Sequence, residues 1–355
     1  MHRRLITACL ALALTVFFIQ TVQADQKDGR LDIYFIDVEG GAATLFVTPA
    51  GESLLIDSGY PDLNGRDRNR ILDVVRNTAK LKHIDNAAVT HWHRDHYGNH
   101  AALASEIKIK NFYDRGIPDD LQEDKQFIER IADYRSASQN QSKTLKPGDK
   151  LPLKSGKTRL RVDIVAASRD VIENKGKPNR FAKLHKPKDE DKSDNAASVS
   201  FLLKFGKFKF LCCGDLTWNI EAKLVTPNNP IGKIDLFMVT HHGLPSSNNP
   251  ALVLALDPKV AIMCNGPTKG GHADVISTLK KVKSLEHWYQ LHRNINLKPE
   301  EQTPAEFILN QEKTADCPGG YVKVSVAPDG NSYTILLGEG GKTRTYQTRT
   351  ARKKS

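Results

Sequence analysis

Between Thr90 and His96 the chain reads Thr-His-Trp-His-Arg-Asp-His, so three imidazoles and a carboxylate fall within six residues. Imidazole nitrogens and carboxylate oxygens suit Zn²⁺ or a similar borderline divalent ion. The donors His91, His93, Asp95 and His96 are spaced i, i+2, i+4 and i+5. In a loop after a strand such neighbours diverge, and so can serve two adjacent ions. Three further segments end an apolar run with polar residues: Leu55-Ile56-Asp57-Ser58-Gly59, Leu211-Cys212-Cys213-Gly214-Asp215 and Met238-Val239-Thr240-His241-His242-Gly243. Each Asp alone reads as a turn former or a helix cap. Together, Asp57, Asp215, His241 and His242 sit where strand ends can converge on one site. Two ions about 3.5 to 4 Å apart would make hydroxide available near neutral pH and would hold the oxygen of an electrophile. Hydrolysis would then need no protein nucleophile.

These residues require strands that end together. Strands are expected over residues 31–38, 43–48 and 53–57, separated by Gly and Pro. Ile71, Leu72, Val74, Val75 and Ala79 recur at helical spacing within 66–81, and residues 87–90 read as a buried strand running into the His cluster. A second amphipathic helix is expected over 121–134, and strands over 160–165, 234–240 and 260–264. Hairpins are expected over 198–212, turning at Phe205-Gly206, and over 322–337, turning at Asp329-Gly330. A helix is expected over 273–282, and the Lys/Pro/Asp-rich stretch 175–194 reads as an insertion or lid. Strands followed by helices in both halves imply two packed sheets with helices outside.

In the motifs above the sequence resembles the metallo-β-lactamase superfamily. Its HxHxDH motif is matched by His91, His93, Asp95 and His96, its early Asp-x-Gly by Asp57 to Gly59, its late strand-end Asp by Asp215, and its last His by His241 or His242. The resemblance runs from about Leu31 to about Leu285. It implies an α/β fold of the αββα four-layer sandwich type with a dinuclear metal centre. His91 and His93 would hold one ion, Asp95 and His96 the other, with Asp215 bridging and Asp57 standing behind the ligands. Within the superfamily the sequence is most similar to the hydrolase domain of ComEC-type competence proteins. Ile36-Asp37-Val38, Asp194-Asn195-Ala196-Ala197-Ser198, Gly214-Asp215, His241-His242-Gly243 and Gly271-His272 carry that likeness. The sequence departs from it at Glu39-Gly40-Gly41-Ala42, which lacks the glutamine and second acid of the DVGQGD motif, and at His93, where those proteins usually have Asp. Superfamily members often place another His before the late Asp. His185 is the only histidine between His100 and Asp215, and it lies in the lysine-rich stretch.

The resemblance makes Asp95 and His272 the candidate catalytic residues, His272 as a donor to a developing oxyanion or leaving group. Asn195, Lys183 and Lys186 are the candidate substrate contacts. The expected cofactors are two divalent ions, Zn²⁺ first and Mn²⁺ or Fe as alternatives. The expected activity is hydrolysis of phosphoesters, nucleic acid among them; a lactonase or β-lactamase-like hydrolase and a non-catalytic polyanion-binding protein are the competing readings.

Arg3 and Arg4, the apolar run from Leu5 to Ile19, and Val22-Gln23-Ala24 together read as a secretory signal peptide over residues 1–24. At 15 residues the run is too short to span a bilayer. A secreted or periplasmic protein is expected, with a hydrolase domain over 25–300 and a C-terminal hairpin and basic tail over 301–355. Cys212, Cys213, Cys264 and Cys317 would then face an oxidising compartment where pairing is permitted, although Cys212 and Cys213 lie on an apolar strand as small hydrophobes. Without Arg3 and Arg4 the formal charge falls from +11 to +9. Residues 175–188 and 342–355 hold six basic residues each and no acid, so the rest of the mature chain is slightly acidic. Attraction to a polyanion would come from those two segments.

Overall fold

The computed structural model describes residues 28–61 and 63–349, so the expected leader lies outside the described residues. Along Leu31–Ile36, Ile33 and Phe35 enter one apolar cluster while Tyr34 and Ile36 enter another. That is the period of two of a strand buried on both faces. The same alternation organises two nine-stranded sheets. The first runs, edge to edge, Thr343–Gln347, Ser332–Leu337, Tyr321–Val326, Leu31–Ile36, Thr44–Val47, Ser53–Ile56, Ile84–Ala88, Ile109–Asp114 and Lys143–Thr144. The second runs Ile308–Asn310, His287–His292, Val260–Met263, Leu236–Met238, Phe208–Cys212, Ser200–Phe205, Leu160–Ala167 and Lys150–Leu151, with Asp170–Val171 paired to Leu160–Ala167.

Three apolar clusters define four layers. Phe35, Phe46, Phe201, Phe210, Ile262 and Tyr289 fill the space between the sheets. Ile71, Phe127 and Ile131 seal the helices Arg66–Asp73 and Phe127–Ala137 onto the outer face of the first sheet. Leu224, Leu252, Val275 and Leu279 do the same for Trp218–Val225, Pro250–Leu256 and Ala273–Lys280 on the second. The expected αββα sandwich is present. No helix among the described residues is long and apolar enough to cross a membrane.

Both sheets are parallel where they carry the polar strand ends. Ser53–Ile56, Ile84–Ala88 and Ile109–Asp114 pair in parallel in the first sheet, as do Phe208–Cys212, Leu236–Met238, Val260–Met263 and His287–His292 in the second. The carboxyl ends of such strands are where an open α/β sheet presents its chemistry. Asp37, just past the first strand, ties this rim together: it accepts from His292 at 2.8 Å and Asn310 at 3.2 Å in the other sheet, and pairs with Arg70 at 3.1 Å.

Several sequence expectations change. The helix expected over 66–81 is α-helical only to Asp73 and then widens over Val74–Thr78. The one expected from 121 starts at Phe127. The final hairpin, expected beyond a boundary near residue 300, belongs to the first sheet, where Tyr321–Val326 pairs with Leu31–Ile36. The basic segment after it is strand over Thr343–Gln347, and Arg349 is fastened to the Asp235 carboxylate and the Ile234 carbonyl. The lysine-rich stretch is likewise no free arm. Asn219 brackets the Lys188 backbone, Trp218 Nε1 donates to the Lys186 carbonyl, Lys188 Nζ lies 3.8 Å from the Trp218 ring centre, and Arg169 donates to the Asp191, Lys192 and Ser193 carbonyls. Among the described residues all four cysteines, Cys212, Cys213, Cys264 and Cys317, are free thiols; Cys212 packs between the sheets and Cys213 against the outer helices.

Candidate metal centre

Asp57 ends its strand at φ +61, a left-handed conformation that Asp tolerates better than most residues. The turn aims its carboxylate at the Thr90 amide and hydroxyl, both at 2.8 Å, and at His96 Nδ1, also at 2.8 Å. A carboxylate only accepts, so Nδ1 carries a proton and Nε2 is the His96 nitrogen left to bind an ion. That Nε2 faces Asp215 Oδ2 at 3.2 Å, Asp95 Oδ2 at 3.4 Å and His242 Nε2 at 3.2 Å.

His241 and His242 both lie at φ +53, ahead of Gly243 at φ +83. Two non-glycine residues in this region cost about 1–3 kcal/mol each. A frame of hydrogen bonds holds them: Asn248 accepts from the Thr240 amide and donates to its carbonyl, the His241 amide donates to Gly214, and the Gly271 amide donates to His242. His242 Nδ1 must donate to the Cys264 carbonyl at 2.9 Å, so its Nε2 too is the nitrogen left for an ion, 3.3 Å from Asp95 and 3.4 Å from Asp215. His241 Nδ1 meets the Ser246 and Ser247 hydroxyls while its Nε2 faces Asp215 Oδ2 at 3.3 Å. His91 Nε2, 4.0 Å from the same oxygen, is buried and bonds to nothing.

One carboxylate oxygen therefore stands among four imidazoles, and Asp95, His96, Asp215 and His242 offer donor atoms all within 4.8 Å of one another. Two facing imidazole Nε2 atoms, two carboxylates and an orphaned third imidazole nitrogen form a donor set that a cation completes. Burial disfavours charge here, yet Asp215, Asp95 and Asp57 hold the His96 proton well above the usual imidazole range. Against the same burial, His241, His96 and His242 hold Asp215 well below the usual carboxylate range. Burial lowers His91 strongly, helped by His96 and His93, and lowers His241 to about 4.

The remaining sequence candidates separate. His93 lies at the edge, a quarter exposed, with Nε2 3.3 Å from Glu123 Oε1, which leaves Nδ1 for an ion; Glu123 also accepts from the Asp194 amide at 2.6 Å. Asn195 sits in the turn Asp194–Ala197 with a buried, unpartnered amide oxygen. His272 does not join the cluster: its ring is half exposed and caps its own helix by accepting from the Asp274 amide, although its backbone amide donates to Gly243. His185 bonds to Asn249 Nδ2 at 2.8 Å, away from the carboxylates. Lys183 and Lys186 are exposed on the pinned strap. The sequence reading missed Lys269, whose ammonium is 2.5 Å from Asp95 and 3.0 Å from the Tyr60 hydroxyl. The strand-end rule points to it as well, because it follows Val260–Met263 in a Gly-rich turn.

Behind the His241–His242 turn, Glu221 is fully buried and accepts from the Asn249 amide at 2.7 Å, while its other oxygen has no partner. Burial pushes its carboxyl up to about 7. The raised folded value means that the stability contribution is full below the unfolded pKa, near 4.5, and is lost as pH rises through 7. Glu221→Gln should therefore add about 3 kcal/mol at pH 8 and little at pH 4. Urea melts of the metal-free protein at the two pH values check this, and equal effects at both would contradict it.

Residues 36–178 match the family model of the metallo-beta-lactamase superfamily. No curated protein matches the chain. Among solved structures, the metallo-beta-lactamase fold protein YhfI from Bacillus subtilis is 12% identical over 73% of this chain and 96% of that one, with a TM-score of 0.43. Igni18, a metallo hydrolase from the archaeon Ignicoccus hospitalis, is 14% identical over 83% and 98%, with a TM-score of 0.42. A mutant of the CmlA β-hydroxylase is 15% identical over 74% of this chain, with a TM-score of 0.43; the chain spans 52% of its length.

Proposed function

We propose that this protein, which has the metallo-β-lactamase fold, is an exported dinuclear metal-dependent hydrolase of phosphoesters. The observation that carries the metal is the pair of imidazole Nε2 atoms 3.2 Å apart between Asp95 and Asp215, with His91 Nε2 buried and unpartnered beside them. In this reading Asp95, His96 and His242 would hold one ion and His91, His93 and His241 the other, with Asp215 available to both. Divalent ions bound there, Zn²⁺ or else Mn²⁺ or Fe, supply Lewis acidity and a water of lowered pKa.

The chain's own groups do the rest. Asp57 and the Cys264 carbonyl fix the tautomers of His96 and His242, and Glu123 orients His93, as carboxylates and carbonyls behind metal-bound imidazoles generally do. Asp95 is the candidate proton acceptor during turnover, since it is the more exposed of the two carboxylates. Asn195, with its unpartnered amide oxygen, is the candidate polar contact to substrate.

What supports an anionic substrate is that the lysine-bearing strap is fastened by Trp218 and Asn219 to the helix that begins three residues beyond Asp215. Reconstitution with Zn²⁺ or Mn²⁺ should give hydrolysis of bis-p-nitrophenyl phosphate that a chelator abolishes. Turnover of a lactone or nitrocefin without any phosphoester would overturn the substrate assignment. Retention of DNA by a protein that hydrolyses none of these would favour the binding-protein alternative.

A further inference from the structure

Lys269 reaches the centre from the turn that follows Val260–Met263. The Gly266 amide donates to its carbonyl at 2.9 Å. A Cβ added at Gly270, which lies at φ +79, would come within 2.1 Å of the His242 carbonyl oxygen, so the turn is seated on the histidine loop and cannot carry a larger residue there. On its other side Gly266 packs against the Glu39 and Gly40 backbone. The backbone of Lys269 is thus fixed, and only its side chain can pivot.

That side chain is about one-third exposed, and its ammonium lies 5.3 Å from the Tyr60 ring centre. Among the described residues it is the one lysine or arginine paired with a member of the His/Asp cluster. Its carboxylate partner at 2.5 Å is Asp95 Oδ2, and Tyr60 Oη accepts a second hydrogen bond at 3.0 Å. The Asp95 oxygen that it holds is the one facing His96 and His242, the position a cation would claim. Once that oxygen binds a cation, the ammonium keeps the Tyr60 hydroxyl but loses its counter-anion. A charged amine beside a metal position, held by one neutral partner, is a point-charge receptor for an anionic oxygen.

We propose that Lys269 and Tyr60 form an anion subsite beside the metal centre that takes a non-reacting phosphate oxygen of the substrate. The proposal rests on the metal-dependent phosphoesterase reading and adds the group that discriminates charged from neutral esters. Lys269 acts by direct contact with substrate, Tyr60 by holding the ammonium in place.

The test uses inorganic phosphate as the probe, with calorimetry on the metal-loaded protein and metal content measured alongside. Lys269→Met should weaken phosphate binding at least tenfold while metal content stays at the wild-type level, Lys269→Arg should recover most of it, and Tyr60→Phe should fall between. With bis-p-nitrophenyl phosphate, Lys269→Met should raise KM about tenfold, with kcat changing much less, and should lose far more on this diester than on p-nitrophenyl acetate. Unchanged phosphate affinity at unchanged metal content, for both Lys269→Met and Lys269→Gln, overturns the subsite. Absence of diesterase activity in the wild type would overturn the phosphoesterase reading instead, and the calorimetry would still decide the role of Lys269.

Discussion

Asp215→Asn is expected to lower divalent-metal content from two ions per chain to one or none and to reduce hydrolysis by about a thousandfold or more. The substitution keeps the shape and removes one charge. That charge is the shared element: Oδ2 of Asp215 lies 3.2 Å from His96, 3.3 Å from His241, 3.4 Å from His242 and 4.0 Å from His91. An amide oxygen there is a weaker donor and cannot balance two dications. The metal-free variant should also unfold more easily, because a buried imidazolium loses its strongest partner, a loss of about 3 kcal/mol when one member of such a pair is removed. Elemental analysis after gel filtration, paired with turnover, checks the first effect. Two tightly held ions and wild-type rates in the variant would remove Asp215 from the centre.

Added Zn²⁺ should raise the melting temperature strongly at pH 7.5 and barely at pH 5. A ligand at a thousand times its Kd stabilises the folded state by about 4 kcal/mol. Here the ligand competes with protons. The Asp215, Asp95 and Asp57 carboxylates hold the His96 proton against burial, and Asp215 holds that of His242, so both imidazoles must release a proton to bind an ion. Each proton displaced weakens binding by about 1.4 kcal/mol per pH unit below the folded pKa. Burial lowers His91 strongly and His241 to about 4, so these two compete far less with an ion. Acid should therefore empty the Asp95–His96–His242 position before the His91–His241 position. Thermal melts across pH, with proton release measured in buffers of different ionisation enthalpy, read both effects. A metal-induced shift independent of pH would contradict the proton-held histidines.

The strand-end pattern carried most of the centre, because it depends only on short apolar runs and the polar residue that follows them. Asp57, Asp215 and the two adjacent histidines are placed by that rule, and the Gly-rich turn bearing Lys269 obeys it too. The choice between His241 and His242 was open because both backbones turn left-handed, a conformation that sequence alone does not announce, and the turn brings both rings to Asp215. Glu123 left no local trace, since its partners His93 and the Asp194 amide are 30 and 71 residues away. The strand His287–His292 was hidden for a similar reason. Its Gln290 and His292 look like surface residues, yet both are buried, bonded to the Thr303 amide and to Asp37 from the opposite sheet. Buried polar residues with distant partners imitate loops in a hydropathy pattern. The lysine-rich stretch misled in the opposite sense: its composition is that of a solvated loop, while one tryptophan, one asparagine and one arginine outside it hold its backbone down.

The pairing of the first described strand with Tyr321–Val326, Leu31 opposite Val326, governs how the molecule must be assembled. During synthesis the inner edge of the first sheet waits for nearly the whole chain before its neighbour exists. Closing so long a loop is slow, because the entropy is lost before the contact repays it. Until then Leu31–Ile36 offers one unpaired row of amides and carbonyls flanked by buried apolar side chains, the kind of edge that recruits strands from other molecules. A chain truncated near residue 300 keeps every residue of the metal centre yet lacks the strands that close this edge. Such a fragment should collect in aggregates, and the C-terminal hairpin, remote from any chemistry, sets whether the ribosome's product becomes a soluble protein.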